Sequence, residues 1–281
     1  MLIRWAHDPW IFFNGNAGDE TMEIDRRRVV GIFIPCLNNE DIILTAITTL
    51  IEGMPVHYPF GVLFLDGGST DGTVKVIQDN CPFPVFGPHS PKEVFPHDIQ
   101  QPCKGEMNVA VDMWMGLYNK ETNRWAMDDR VGYIGFFHTD GRYNRQPGWL
   151  GKLVDICEAD PEIGCLGPWH HNTEPSAEHE YNWNPPMFVV PVHTMRESYK
   201  RYGWWIDPGY WSGTSYCDWD MHRRFMGEMQ MKTLLAPRSK VYHTGIGSRN
   251  SLTAKDWWVA HDRENREYYA NRWGTPDHPW K

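Results

Sequence analysis

Acidic residues follow several of the predicted strands, at positions where a binding cleft would form. Asp66 and Asp140 each come just after an apolar run, and Asp218 and Asp220 follow a later aromatic segment. Ligands of open α/β sheets bind beyond the carboxyl ends of the strands, so we expect these side chains to converge. Converging carboxylates can coordinate a divalent cation or take a proton from a hydroxyl. A single Asp-Gly pair is usually only a turn, and the prediction therefore rests on the repeated pattern.

The elements that would hold these residues alternate between strands and helices. Apolar runs over 29–34, 61–65 and 131–137 are typical of strands that are buried on both faces. Residues 38–41 offer N-cap chemistry to a helix whose apolar residues recur at helical spacing over 42–51. Strands and helices that alternate over short links predict right-handed βαβ units and a mostly parallel sheet.

The C-terminal part of the chain is predicted to be less regular. Its expected elements are a helix over 149–158, strands over 163–166 and 188–190, an aromatic turn over 202–211, a helix from about Met221, a strand pair that leads to His243, and a terminal helix over 257–273. Together with the preceding elements they predict one α/β domain with an irregular C-terminal third.

Composition excludes several classes of protein. Of 281 residues, 41% are apolar and 15 are tryptophan, which argues against a disordered chain. The 27 basic and 36 acidic residues give a net charge of −9, which disfavours nucleic-acid binding through general basicity. No apolar run approaches the roughly 18 residues that span a membrane, and no signal-peptide pattern is visible. The six cysteines are isolated, as reduced thiols usually are. We expect a soluble cytoplasmic protein or one peripheral to a membrane.

A series of short motifs resembles those of family-2 glycosyltransferases, which have the GT-A fold. In chain order the motifs are PCLNNE (35–40), DGGSTDGT (66–73), KGEMNVA (104–110), HTD (138–140), PGWL (147–150), YGWWID (202–207), DWDMHRR (218–224) and VYH (241–243). The resemblance covers about residues 28–248. It implies a Rossmann-like, mostly parallel sheet flanked by helices, preceded by an N-terminal extension (1–27) and followed by a helical tail (249–281).

The resemblance also implies an activity and a set of site residues. The activity is the metal-dependent, inverting transfer of a hexosyl or pentosyl group from a nucleotide sugar, which we expect to be UDP-linked, to an acceptor hydroxyl. The implied donor contacts are Pro35, Leu37 and Glu40 at the edge of the nucleotide pocket, Asp66 on the base or ribose, and Lys104 near the diphosphate. Asp140 and His243 would hold Mn²⁺ or Mg²⁺, Asp218 would be the catalytic base, and Asp220 and Arg224 would orient the site.

One position departs from the family pattern. His138 replaces the first acid of the usual D-x-D motif. An imidazole can still bind Mn²⁺, so we expect metal dependence and place His138 at the metal or the nucleotide. On the acceptor side, tryptophans could stack on the apolar faces of sugar rings or pack in the core, and the candidates are Trp169, Trp204 and Trp205.

Several acceptors and two other functions remain open. The acceptor could be a glycan, a lipid-linked sugar or another hydroxyl compound. The same fold could glycosylate a modified DNA base, an option that the net acidity disfavours. A degenerate, non-catalytic sugar-binding module is the third hypothesis, which only His138 favours. A nucleotidyltransferase is disfavoured because residues 35–39 contain no glycine or basic residue to bind a triphosphate.

Overall fold

A mixed β-sheet forms the centre of the protein. The computed structural model describes residues 2–4, 11–13, 30–53, 60–88, 132–143, 148–170, 187–211, 216–243 and 255–277. The strands of this part are β1 (Leu2–Arg4), β2 (Ile11–Phe13), β3 (Val30–Cys36), β4 (Phe60–Asp66), β5 (Val85–Phe86), β6 (Tyr133–Phe137), β7 (Gly141–Arg142), β8 (Ile163–His170), β9 (Met187–Pro191) and β10 (Lys232–His243). Their order is β1-β2-β4-β3-β6-β9-β8-β10-β7, with β5 beside β4.

The direction of the strands brings the predicted functional loops to one edge of the sheet. β3 pairs in parallel with both β4 and β6. β9 is antiparallel to β6 and to β8, and β8 is parallel to β10. β8 and β10 therefore run in the same direction as β3, β4 and β6. The carboxyl ends of all five strands lie at a common edge, which is where open α/β sheets bind ligands.

Helices cover both faces of the sheet. They are α1 (Ile43–Gly53), α2 (Thr73–Asn80), α3 (Trp149–Ala159), α4 (Val192–Tyr202), α5 (Cys217–Arg223), which continues as a π-helical turn (Arg224–Glu228), and α6 (Lys255–Trp273). Ile32 and Ile34 of β3 pack in one buried cluster with residues of α1, α2 and α3. Phe33, between them, packs in the opposite cluster with residues of α4, α5 and α6. Burial on both faces is the reason why β3 reads as a continuous apolar run.

Three elements differ from their predictions. Helix α4 occupies residues 192–202, and the aromatic turn begins only at Gly203, whose φ of 81° ends the helix. Helix α5 begins at Cys217 rather than near Met221, because Asp218 and Asp220 act as first-turn acids instead of loop residues. The prediction of two strands leading to His243 is wrong, since this stretch is the single 12-residue strand β10. Its pairing with β8 is irregular between Ala236 and Lys240.

The N-terminal extension adds to the sheet. Strands β1 and β2 form an antiparallel pair, and Phe12 and Phe13 of β2 pair with Gly61 and Phe60 of β4. β2 thus occupies the first part of the β4 edge, and β5 pairs with the last part. Across the ranges described above, none of the helices combines the length and the apolar character that a membrane span requires.

Candidate active site

Two loops at the carboxyl ends of β3 and β4 are joined by hydrogen bonds. The N–H of Asn38 donates to Ser69 Oγ (3.0 Å), and the N–H of Thr70 donates to Asn38 Oδ1 (2.9 Å). The N–H of Gly72 donates to Glu40 Oε2 (2.9 Å). A Cβ at position 72 would lie 2.4 Å from Glu40 Oε1, so glycine is the residue that permits this approach. Glu40 therefore holds the two loops together, whatever else its exposed side chain contacts.

Asp66 lies beside these loops with Pro35 and Leu37. Cys36, between the last two, pairs with Asp66 in the β3–β4 register, and the N–H of Gly67 donates to the carbonyl of Cys36 (2.8 Å). Pro35 and Leu37 are half-buried, whereas Asp66 is 2% exposed. Both Asp66 carboxylate oxygens accept the N–H of Ser69, at 3.0 and 3.2 Å. The structure thus brings together four residues predicted at the donor pocket, namely Pro35, Leu37, Glu40 and Asp66. Asp66 also stabilises the turn that follows it, through the N–H of Ser69.

A buried hydrogen-bond chain connects the β3 loop to the turn that contains His138 and Asp140. Thr139 Oγ1 donates to Asn39 Oδ1 (3.0 Å), which also accepts the N–H of Leu37 (3.1 Å). The N–H of Asn39 donates to Thr73 Oγ1 (2.7 Å). Asn39, Thr73 and Thr139 are all buried. The sequence identified Asn39 only as part of a motif and helix start, and its role as the link to Thr139 was not predicted.

His138 and Asp140 lie close to each other at the same edge of the sheet. His138 Nδ1 is 3.9 Å from Asp140 Oδ1, with side-chain exposures of 46% and 9%. Tyr143 OH donates to the carbonyl of His138 (2.5 Å), and burial together with the charge of Asp140 raises the pKa of Tyr143. In the pairing of β7 with β10, the backbone of His243 lies opposite Gly141, the residue after Asp140. The strand register therefore places all three predicted metal or nucleotide residues within one short stretch of the edge.

The donor types at this edge are suited to a divalent cation. A carboxylate and imidazole nitrogens are acceptable ligands of Mn²⁺, and carboxylates bind Mg²⁺ as well. The side chain of His243 lies outside the described atoms, and the described side chains contain no group of three His, Cys, Asp or Glu that could bind a metal. The suitability of this edge for a divalent cation consequently rests on His138, Asp140 and the backbone position of His243.

Asp218 lies in the first turn of α5 with part of its carboxylate removed from water. Asp218 Oδ1 is buried and has no hydrogen-bond partner among the residues that the structure describes. Burial, with a smaller contribution from the charge of Asp262 on α6, raises the pKa of Asp218 to about 6, although backbone N–H groups of Trp219, Asp218 and Tyr216 oppose the shift. A carboxylate with this pKa can accept a proton near neutral pH.

Asp220 and Arg224 form a fully buried ion pair one turn further along. Arg224 Nε donates to Asp220 Oδ2 (2.8 Å), and both side chains are 0% exposed. Another guanidinium nitrogen of Arg224 donates to the carbonyl of Trp205 (2.7 Å). Trp273 Nε1 of α6 donates to Asp220 Oδ1 (2.9 Å). The pair is enclosed by three elements and holds α5 against the aromatic turn.

The three predicted acceptor tryptophans fall into different environments. Trp205 is 0% exposed and lies 4.6 Å from Phe136 between ring centroids, so we correct its assignment from acceptor contact to core packing. Its large apolar ring stabilises the core more than it could a surface. Trp204 is half-buried, with its ring 4.4 Å from the guanidinium of Arg224. Trp169 lies in β8 with its side chain outside the described atoms, and Lys104 lies outside the described residues.

Comparisons with known proteins decide the family. The sequence profile of Glycosyl transferase family 2 matches residues 31–216. The chain belongs to this family. No curated protein sequence matches this glycosyltransferase. Its first 30 residues and everything after Tyr216, including Asp218 and α6, lie outside the matched region.

Solved structures show that this glycosyltransferase has the GT-A fold. A mannosyltransferase from Pyrobaculum calidifontis, solved with GDP-Man and Mn²⁺, has a TM-score of 0.54 at 15% identity, over 95% of this chain and 72% of the other. Glucosyl-3-phosphoglycerate synthase from Mycobacterium tuberculosis, solved with Mn²⁺ and UDP-glucose, has a TM-score of 0.52 at 18% identity, over 89% and 80%. The TM-scores show a common architecture, with which the mixed α/β sheet and its helices on both faces agree.

Proposed function

We propose that this family-2 glycosyltransferase moves a sugar from a nucleotide sugar to an acceptor hydroxyl, with inversion, and that Asp218 is the general base. The observation that carries the proposal is the environment of Asp218 Oδ1, which is buried and unpartnered among the described residues. Burial raises the pKa of this carboxyl to about 6. An acceptor-only oxygen that is short of a donor is suited to receive a hydroxyl hydrogen.

In the proposed step one proton is transferred, one bond forms and one bond breaks. The acceptor hydroxyl gives its proton to the Asp218 carboxylate as its oxygen forms a bond to the anomeric carbon. The bond from that carbon to the diphosphate oxygen breaks, and its electron pair leaves with the diphosphate. Because the new bond forms on the face opposite the leaving group, the configuration inverts. General bases of this kind typically contribute a factor of about 10² to 10⁴ in rate.

A divalent cation fits the residues at the sheet edge. We assign Asp140 and His243 as its ligands and place His138 beside the ion or the diphosphate, from the proximity of His138 to Asp140 and the register of His243. When bound, the cation would act as a Lewis acid that stabilises the negative charge of the diphosphate. Mn²⁺ in the two related structures supports a divalent cation, with Mn²⁺ preferred because imidazole is a softer ligand than carboxylate.

The donor pocket is assigned to the edge formed by the β3 and β4 loops. Pro35, Leu37, Glu40 and Asp66 lie together there, and we propose that they contact the nucleotide. Lys104 is proposed to neutralise the diphosphate. The related structures contain GDP-Man and UDP-glucose, which favours a hexosyl donor, and we propose a UDP-linked hexose. The acceptor is proposed to be a glycan, a lipid-linked sugar or another small hydroxyl compound.

A donor panel tests this function. The protein is incubated with UDP- and GDP-hexoses and simple hydroxyl acceptors, with Mn²⁺ or with EDTA, and nucleoside diphosphate release is measured. We expect release with Mn²⁺, its loss in EDTA, and an NMR anomeric signal opposite in configuration to the donor. Asp140→Asn should lose the Mn²⁺ response, whereas the exposed control Asp155→Asn should keep it. Release that persists in EDTA or a retained configuration would contradict the proposal.

A further inference from the structure

The terminal helix α6 reaches two buried carboxylates through one guanidinium. Arg272 Nε lies 3.0 Å from Asp220 Oδ1, and another nitrogen of Arg272 contacts Asp207 Oδ2. The side chains of Asp207 and Asp220 are 5% and 0% exposed. Asp207 belongs to the aromatic turn after α4, and Asp220 belongs to α5. Arg272 therefore joins the aromatic turn to α5, the helix that carries the proposed base.

The charges in this cluster balance only when Arg272 is present. Asp207 and Asp220 supply two buried negative charges, and Arg224 and Arg272 supply two positive charges. Arg224 contacts Asp220, while the described contacts of Asp207 are with Arg272, with Tyr268 OH (3.2 Å) and with its own turn. Loss of one member of a buried ion cluster leaves an uncompensated charge, which forces the surrounding elements to move.

Further contacts of α6 surround the first turn of α5. The ring of Tyr269 lies 5.4 Å from that of Tyr216 and 6.1 Å from that of Trp219, measured between centroids. These two rings flank the positions of Cys217 and Asp218 in the sequence. The N–H of Asp220 donates to the carbonyl of Tyr216 (2.9 Å), which closes the turn. Helix α6 thus contacts the residues on either side of Cys217 and Asp218 in the sequence.

The same helix fits closely against the aromatic turn. Asn265 Oδ1 accepts the N–H of Trp211 (2.8 Å), and its Nδ2 donates to the Trp211 carbonyl (3.0 Å). A Cβ at Gly209 would lie 2.4 Å from Tyr268 Cζ, so the two surfaces approach as closely as glycine allows. Such close contacts fix the position of α6 against the aromatic turn and also bury surface of both.

We propose that α6 is part of the catalytic apparatus and that Arg272 is a positioning residue, which fixes the Asp218 turn by joining Asp207 to Asp220. The proposal rests on the proposed function of Asp218. It assigns a role in transfer to a helix that lies wholly outside the region matched to the family, residues 31–216. Arg272 does not itself have to contact substrate, since its effect passes through Asp220 to the base two residues earlier.

Three variants on one helix test the proposal. Arg272→Met removes the link, Arg272→Lys keeps one charge without the two-armed geometry, and Arg263→Met is a control on an exposed position of α6. We measure kcat, KM for the donor, nucleotide Kd with Mn²⁺, and Tm. Arg272→Met should lower kcat by about 100-fold, as a displacement of about 1 Å does. Its KM and nucleotide Kd should stay within about twofold, because the donor loops lie on β3 and β4.

The other variants distinguish a positioning role of Arg272 from a role in folding. Arg272→Lys should recover part of kcat, and Arg263→Met should match the parent. Equal kcat in parent and Arg272→Met, or a fall in kcat that only follows the loss of folded protein by circular dichroism, would overturn the proposal. If both Arg272 variants fail to fold, α6 is a folding element and the proposal also fails. Combining Arg272→Met with Asp207→Asn should give non-additive effects on kcat, since both changes break the same link.

A parallel measurement distinguishes this inference from the proposed function. Asp218→Asn is assayed under the same conditions as Arg272→Met. Normal turnover in Asp218→Asn removes the proposed base, and the role of Arg272 then fails with it. Impaired Asp218→Asn together with normal Arg272→Met leaves the base in place and rejects only the positioning role of α6.

Discussion

The carboxyl of Asp218 has a buried oxygen and a raised pKa, and the first property causes the second. Burial disfavours the ionised form, and Asp262 adds a like charge, so the pKa rises from 3.8 to about 6. The turn nonetheless supplies backbone N–H groups that oppose the shift, which keeps the group ionised at neutral pH. Its environment therefore favours proton transfer at the expense of stability.

The pH profile of transfer follows from this pKa. A general base acts only when it is ionised, so kcat should fall as pH drops through about 6, by about tenfold per unit at lower pH. Asp262→Asn removes a like charge and should move this acid limb to lower pH. The measurement is kcat against pH from 4.5 to 8, with Mn²⁺ saturating. A flat profile down to pH 5 would contradict the assignment of Asp218.

The same pKa predicts a cost in stability. Because the folded pKa lies above the ordinary value of 3.8, stability is greatest below pH 4 for this group and is lost as pH rises from about 4 to about 6. The ionised form costs up to about 3 kcal/mol. Asp218→Asn should therefore raise the free energy of unfolding at pH 7.5 and change it little at pH 3.5. Urea titrations at the two pH values check this, and equal stability of both proteins at pH 7.5 would show that burial does not penalise the carboxylate.

The buried pair of Asp220 and Arg224 has the opposite effect on stability. Arg224→Met leaves Asp220 without its closest charge partner at 0% exposure, which typically costs about 3 to 5 kcal/mol. The control is Lys75→Met, which breaks an exposed ion pair with Asp79 and should cost less than about 0.5 kcal/mol. Denaturant midpoints compare the two variants. Similar small losses in both would mean that the Asp220 carboxylate is satisfied by its other donors.

At the scale of elements, the link between Thr139 and Asn39 couples two loops that come from different strands. Thr139→Val keeps the shape of the side chain but removes the hydroxyl that Asn39 Oδ1 accepts, at a cost of about 1 kcal/mol. The turn that holds Asp140 should then be less well fixed, and the affinity for Mn²⁺ should fall severalfold. Thr139→Ser retains the hydroxyl and is the matched control. Mn²⁺ binding by titration calorimetry is the measurement, and equal affinity in both variants would reject the coupling.

Local patterns predicted some elements well and failed on others for identifiable reasons. β3 and β4 were predicted within about two residues because both of their faces are buried and their apolar runs are continuous. Helix α4 was missed because only one narrow face, with Val192, Met195 and Ser198, is buried while the rest is polar. The first residues of α5 were not predicted as helical because aspartate is common in turns.

Some residues of the candidate site could likewise be predicted from the sequence, and others could not. Asp66 and Asp140 could be found from sequence because each lies at or just after the carboxyl end of a strand, and both strands, β4 and β6, pair in parallel with β3. Asp207 and Arg272 could not be found as a pair, since 65 residues separate them and nothing in the local pattern of α6 sets Arg272 apart. Trp205 could be placed only after the packing of Phe136 was known.

For the whole molecule, the proposed donor residues and the proposed base lie on different elements around one sheet. The proposed donor loops extend from the carboxyl ends of β3 and β4, while the proposed base lies in α5, which packs with α4 and α6 on one face. The family match ends at Tyr216, so the proposed base and helix α6 lie outside the matched region. The net charge of −9 is consistent with an acceptor other than DNA, because a phosphate backbone would be repelled.

The central claim is that Asp218 takes the proton of the acceptor in a sugar transfer. The most direct measurement is kcat of Asp218→Asn beside the parent protein, together with the Kd of each for nucleoside diphosphate and Mn²⁺. We predict that kcat falls by at least about 100-fold, the smallest contribution typical of a general base, while Kd stays within about twofold. Turnover within a few-fold of the parent, with intact nucleotide binding, would contradict the account.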